Sequence, residues 1–158
     1  MKRILLLFAL LVTTIFASLE GWRTNLNDSK EIALHEKKPI ILFLHSPRCF
    51  YCPKIIENVF PDKNLQKFLK ANFVMLTLDT STGSDSIEDE TSDQAPERFQ
   101  VSMTPAFIFM GPQEEKLARK GKKHMIIYGF WTAKELEQWG RNALQRFKKL
   151  YGEKYGKK

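Results

Sequence analysis

The chain has 158 residues, 43% of them hydrophobic, with a net charge of +7 and no internal repeats, which is the composition of an ordinary globular protein. It holds two cysteines and three histidines (His35, His45 and His124), with no second Cys or His pair at ligand spacing, and this argues against a four-ligand structural zinc site. The basic residues concentrate at 116–124 and 146–158 without interleaved aromatic platforms, so they read as a solvated turn and helix end rather than a nucleic-acid surface.

Lys2 and Arg3 precede an apolar run from Ile4 to Ala17. That is the layout of a secretory signal peptide, and the run is short of the ~20 residues a membrane span needs. Ala17 suits the last position before a cut, but Ile15 stands where a smaller residue is commoner. The expected organisation is a signal peptide over 1–17 and one domain over 18–158, with an uncleaved anchor at 4–17 as the alternative. The remaining length is enough for one sizeable core.

The segment 27–38 reads as a short helix, with Asp28 as N-cap and Glu31 three residues on. The run 39–46 (PIILFLHS) has no polar alternation and predicts a strand buried on both faces. Residues 53–60 and 62–72 read as helix with a break near Pro61, and 73–79 as a second buried strand. Residues 80–93 are small, polar and acidic, including Asp85, Glu88, Asp89, Glu90 and Asp93, and predict an exposed loop insertion. A short helix over 95–101, a strand over 105–111, a turn at Gly111-Pro112 and a strand over 125–130 follow. The last element is a helix over 132–150, opened by a Thr132/Glu135 capping box, with Leu136, Trp139, Ala143, Leu144 and Phe147 on one core-facing side. This order predicts an α/β fold, a central mixed sheet flanked by helices on both faces.

Both cysteines lie in HSPRCFYCPK (45–54), two residues apart. Attachment of a c-type haem would need His directly after the second Cys, and Pro53 stands there. A purely structural staple across so small a loop would stabilise only modestly. A redox dithiol suits the position better, because the pair falls between a buried strand and the start of a helix. Backbone N–H groups, the helix dipole and the neighbouring Arg48 all favour a thiolate there. Cys49, at the end expected to be exposed, would attack a partner disulfide, and Cys52, one turn in, would resolve the mixed disulfide.

The stretch 37–80, from KKPIILFLHSPRCFYCPK to VMLTLDT, resembles the first half of a thioredoxin-fold domain, and in particular periplasmic thiol–disulfide oxidoreductases. ERFQVSMTPAFIFMG and YGFWTAKELEQW resemble the next segment and the final strand and helix, so the likeness spans most of residues 37–145. It implies that Pro105 is cis and lies against the cysteine pair, and that Thr104 lends backbone groups to an extended substrate. The residues alone do not fix the isomer, since most X–Pro bonds are trans. Phe50 and Tyr51 would meet substrate and set the redox poise. Thioredoxins also keep a buried carboxylate six residues before the first cysteine, with a lysine on the neighbouring strand. Phe43 and Met75 occupy those positions, so Cys52 is expected to resolve slowly, with His45 and Glu57 as the nearby proton acceptors.

The expected function is that of an exported protein thiol–disulfide oxidoreductase without cofactor or bound metal. Its partners would be protein disulfides or thiols and a membrane electron relay, with no nucleic acid. A periplasmic monomer working in the reductase direction is preferred. The alternative is a binding module, a chaperone or a copper(I) carrier using Cys49, Cys52 and His45. Against the carrier, Met75, Met103, Met110 and Met125 are spaced as core residues.

Overall fold

A computed structural model describes residues 19–80, 98–115, 117 and 125–155. The expected signal segment, the acidic stretch from 81 onward and most of 116–124, His124 included, lie outside the described residues. Of the helix expected at 95–101, residues 98–101 are described: Arg98 and Phe99 are helical, whereas Gln100, a turn residue with φ of 56°, and Val101 lie beyond its end.

The elements run α1 (Leu26–Glu36), β1 (Ile40–His45), α2 (Cys52–Asn58), α3 (Lys63–Asn72), β2 (Val74–Asp79), β3 (Ala106–Met110), β4 (Met125–Tyr128) and α4 (Ala133–Tyr155). The four strands form one sheet in the order β2-β1-β3-β4. β1 pairs parallel with β2 and antiparallel with β3, and β3 pairs antiparallel with β4. This is the expected parallel crossover followed by a hairpin.

Strand alternation divides the core. Ile41 and Phe43 of β1 face one cluster, built with α2, α3 and α4; Ile40, Leu42 and Leu44 face the other, built with α1 and Phe99. β1 is central and covered on both sides, which explains its unbroken apolar sequence. Outside β2, Arg23 bridges Leu76 through Arg23 N–H to Met75 C=O and Thr77 N–H to Arg23 C=O, both 2.8 Å. That bridge places Trp22 against Phe60 and Phe43, with ring centroids 4.7 and 6.2 Å away.

Local signals account for most boundaries. Asp62 caps α3 by accepting the Leu65 N–H at 2.8 Å. At α4 the capping box forms: Thr132 N–H donates to Glu135 Oε2 at 2.9 Å, and Glu135 N–H donates to Thr132 Oγ1 at 3.3 Å. α1 corrects the expectation at its start. Asn25 is the N-cap, accepting the N–H of Asp28, which sits in the first turn. Leu26 is fully buried, so packing draws the helix one turn further toward the N-terminus. No described helix is long and apolar enough to cross a membrane.

Candidate active site

β1 runs through the core and delivers its end, His45, to the surface, where Ser46, Pro47 and Arg48 turn the chain into the cysteine pair. Cys49 N–H donates to the Ser46 carbonyl at 3.1 Å. α2 then opens at Cys52 with Pro53 in its first turn, where a missing N–H costs no helical bond. Cys49 and Cys52 are joined in a disulfide with Cα atoms 5.4 Å apart. Cys52 N–H points at Cys49 Sγ, 3.1 Å away, so a backbone donor already faces that sulfur. The exposed Cys49 expected from sequence is corrected. In the disulfide form Cys49 is 7% exposed and Cys52 2%, and both belong to the core cluster on that face of the sheet.

The other wall comes from the segment before β3. The Thr104–Pro105 peptide is cis. Pro105 is buried and Thr104 half-buried. The Pro105 carbonyl accepts the Gly129 N–H at 3.1 Å, and Tyr128 Oη accepts the Ser102 N–H at 3.5 Å, so β4 braces this segment from outside. The Thr104 hydroxyl shares a hydrogen bond of 3.1 Å with the hydroxyl of Ser46. Among the described residues, no protein group bonds the Thr104 backbone N–H or C=O.

Around these two walls stand Phe50 (72% exposed), Met103 (60%), Tyr51 (48%) and Phe130 (43%), four of the six large hydrophobic side chains exposed among the described residues. Phe50 and Tyr51 meet edge to face at 5.2 Å, and Tyr51 lies 6.4 Å from Phe130. Lys54 Nζ sits 4.4 Å above the Phe50 ring and 5.6 Å from that of Tyr51. Arg48 is exposed beside Cys49. The expectation that Met103 is a core residue is overturned: it lies in the turn before the cis peptide, where strand periodicity no longer applies. Met75, Met110 and Met125 are buried.

His45 lies on the cysteine side of the sheet, stacked on Phe43 at 5.5 Å and opposite Asp79 in the β1–β2 register. Burial pushes its pKa below the ordinary histidine value, with the Asp79 carboxylate pulling the other way. Phe43 and Met75 are both buried and apolar, as expected. Glu57 is on the exposed side of α2, whose buried residues are Cys52 and Ile55, so it does not join the site. Sequence reasoning missed Ser46, Lys54 and Phe130. Lys54 had a signal, since it follows Phe50 by four residues at a helix start. Ser46 and Phe130 are brought in by tertiary structure alone. Among the described residues no three His, Cys, Asp or Glu side chains are grouped to hold a metal ion.

The family described as thioredoxin-like domain matches residues 26–144. No curated protein matches the chain significantly in sequence. Among solved structures, a thioredoxin from Thermus thermophilus superposes with a TM-score of 0.60 at 17% identity, covering 85% of this chain and 97% of that one. The DsbH oxidoreductase gives 0.62 at 17% identity, over 78% and 83%. The oxidised C-terminal domain of Neisseria meningitidis DsbD gives 0.56 at 13%, over 75% and 92%. At such identities these likenesses establish the fold, and the expected thioredoxin fold is the one observed.

Proposed function

We propose that this chain, which belongs to the thioredoxin-like family, exchanges its Cys49–Cys52 dithiol and disulfide with protein substrates. The observation that carries this reading is the disulfide itself, which opens a helix beneath an exposed apolar rim. In the reductase direction, the Cys49 thiolate attacks one sulfur of a substrate disulfide, forming a mixed disulfide and releasing the first substrate thiolate. The Cys52 thiolate then attacks Cys49 Sγ, closing Cys49–Cys52 and releasing the second. Two electrons pass from the dithiol to the substrate, and an external dithiol must restore them.

The neutral, half-buried His45 supports a role as proton acceptor near the pair, since Phe43 leaves no carboxylate beneath it. The Thr104 backbone, which bonds no protein group among the described residues, and the rim support an extended protein segment as substrate. The basic start and apolar run at 2–17 support export to a bacterial periplasm, or anchoring there by 4–17, with electrons from a membrane relay.

Dithiothreitol-driven reduction of insulin tests the reading: wild type turns over, Cys49→Ser does not, and Cys52→Ser accumulates mixed disulfide. Absence of turnover in the wild type would sink it. Direction is set by the potential of the couple. A value near ~−270 mV fits a reductase and one near ~−120 mV an oxidant. The exposed Met103 favours a second reading, copper(I) carriage by soft sulfur ligands. Copper(I) bound tightly by a reduced protein that has no insulin activity would select it.

A further inference from the structure

Ser46 touches both halves of the site. Its carbonyl accepts the Cys49 N–H at 3.1 Å, and its hydroxyl shares the 3.1 Å hydrogen bond with Thr104. The pair stands where the β1–β3 ladder runs out. The last registered partners are Leu44 and Ala106, and the His45–Pro105 step that follows carries no ladder bond, because the His45 carbonyl faces β2 and accepts the Thr80 N–H at 2.8 Å. The step after that sets Ser46 opposite Thr104. Side-chain hydroxyls therefore make the cross-strand connection just beyond the end of the ladder. On its far side Pro105 is already committed, through its carbonyl, to Gly129. The only hydrogen bond that ties Thr104 to the cysteine turn among the described residues is the one from Ser46.

We propose that Ser46 is a positioning residue for substrate: it fixes the backbone edge of Thr104 at a set distance from Cys49, so that a docked chain presents its sulfur to the nucleophile. This rests on the thiol–disulfide reading above. The hydroxyl does not touch either sulfur in the structure, so its loss should be felt in docking more than in exchange. In Ser46→Ala the backbone bond to Cys49 survives, and only the link to Thr104 is removed.

The test is steady-state reduction of insulin by the full chain, with dithiothreitol as electron donor. Ser46→Ala should raise KM roughly three- to tenfold, the effect of losing one hydrogen bond, with kcat within twofold of wild type. Ser46→Thr, which keeps a hydroxyl, should return KM to within about twofold of wild type at the same level of approximation. Ser46→Ala combined with Thr104→Val should be no worse than the poorer single variant, since both remove the same bond. An unchanged KM, a loss confined to kcat, or multiplying effects in the double variant would each overturn the proposal while leaving the thiol–disulfide reading intact. A wild-type protein without insulin turnover would overturn both.

Discussion

Thr77 stands opposite Phe43 in the parallel β1–β2 ladder, and its buried hydroxyl has no hydrogen-bond partner among the described residues. The position lies one pleat beyond Met75, on the face that holds the cysteines. A hydroxyl buried without a partner costs about 1–3 kcal/mol. Thr77→Val removes it while keeping the β-branched shape that strands favour. The variant should be more stable by about 1 kcal/mol, read as a higher urea midpoint with unchanged slope. A lower midpoint would mean that the hydroxyl is satisfied in solution.

His45 predicts a pH dependence of stability. Burial depresses its folded pKa, and Asp79 offsets that only in part. The unfolded chain takes up a proton near pH ~6.5, but the folded protein resists until lower pH. Unfolded chains therefore bind more protons in that interval, and stability falls as pH drops from above ~6.5 toward the folded pKa, by at most ~1.4 kcal/mol per pH unit. Urea melts at pH 7.5 and 5.5 should show the loss, and His45→Gln should shrink it. Identical pH slopes in the two proteins would refute the assignment.

How much of this was legible in the sequence follows from where each residue gets its instructions. β1 was legible because a central strand covered on both faces must be apolar throughout, and the run is too short for a buried helix. The Thr132/Glu135 box was legible because both partners lie within one turn. Asn25 was missed in favour of Asp28 because either can cap, and the choice is made by burial of Leu26 against β1 and β2, a tertiary event. Met103 was misjudged for a related reason: its neighbours alternate as a strand would, but the β1–β3 register ends at Ala106 and leaves it outside the ladder. Cys49 and Cys52 announced themselves by spacing, yet the burial of Cys49 in the core cluster is a tertiary outcome that spacing does not report. Ser46 could not be singled out, because its partner Thr104 is 58 positions away.

Gly140 sets the approach of α4 to α3. A Cβ there would lie 2.7 Å from Phe68 Cε1 and 3.4 Å from Phe73 Cε2. Alanine would gain about 1 kcal/mol of helix propensity, whereas forcing side chains apart in a packed contact costs about 1–3 kcal/mol. Phe68 has little freedom to yield, since the Arg141 guanidinium lies 4.9 Å over its ring and Phe73 packs at 6.0 Å. Sterics should win: Gly140→Ala is expected to lose about 1 kcal/mol, measured by thermal or urea unfolding. A gain in stability would show that the Phe68 ring swings outward at no cost.

Phe50 offers the clearest separation of substrate docking from fold. With 72% of its surface exposed, it contributes little to the core, so Phe50→Ala should change stability by less than about 0.5 kcal/mol. Its ring stands beside the disulfide and carries Lys54 above it, and on docking it would bury apolar area against an incoming chain. Truncating such an aromatic anchor typically costs about 1–2 kcal/mol of binding, so kcat/KM for insulin should fall roughly five- to thirtyfold. A small disulfide reagent cannot reach across the rim, and its reduction should fall far less. The two rates, measured side by side with dithiothreitol as donor, decide the matter. Equal losses on both substrates would place Phe50 in the exchange chemistry, and no loss on either would remove the rim from substrate recognition.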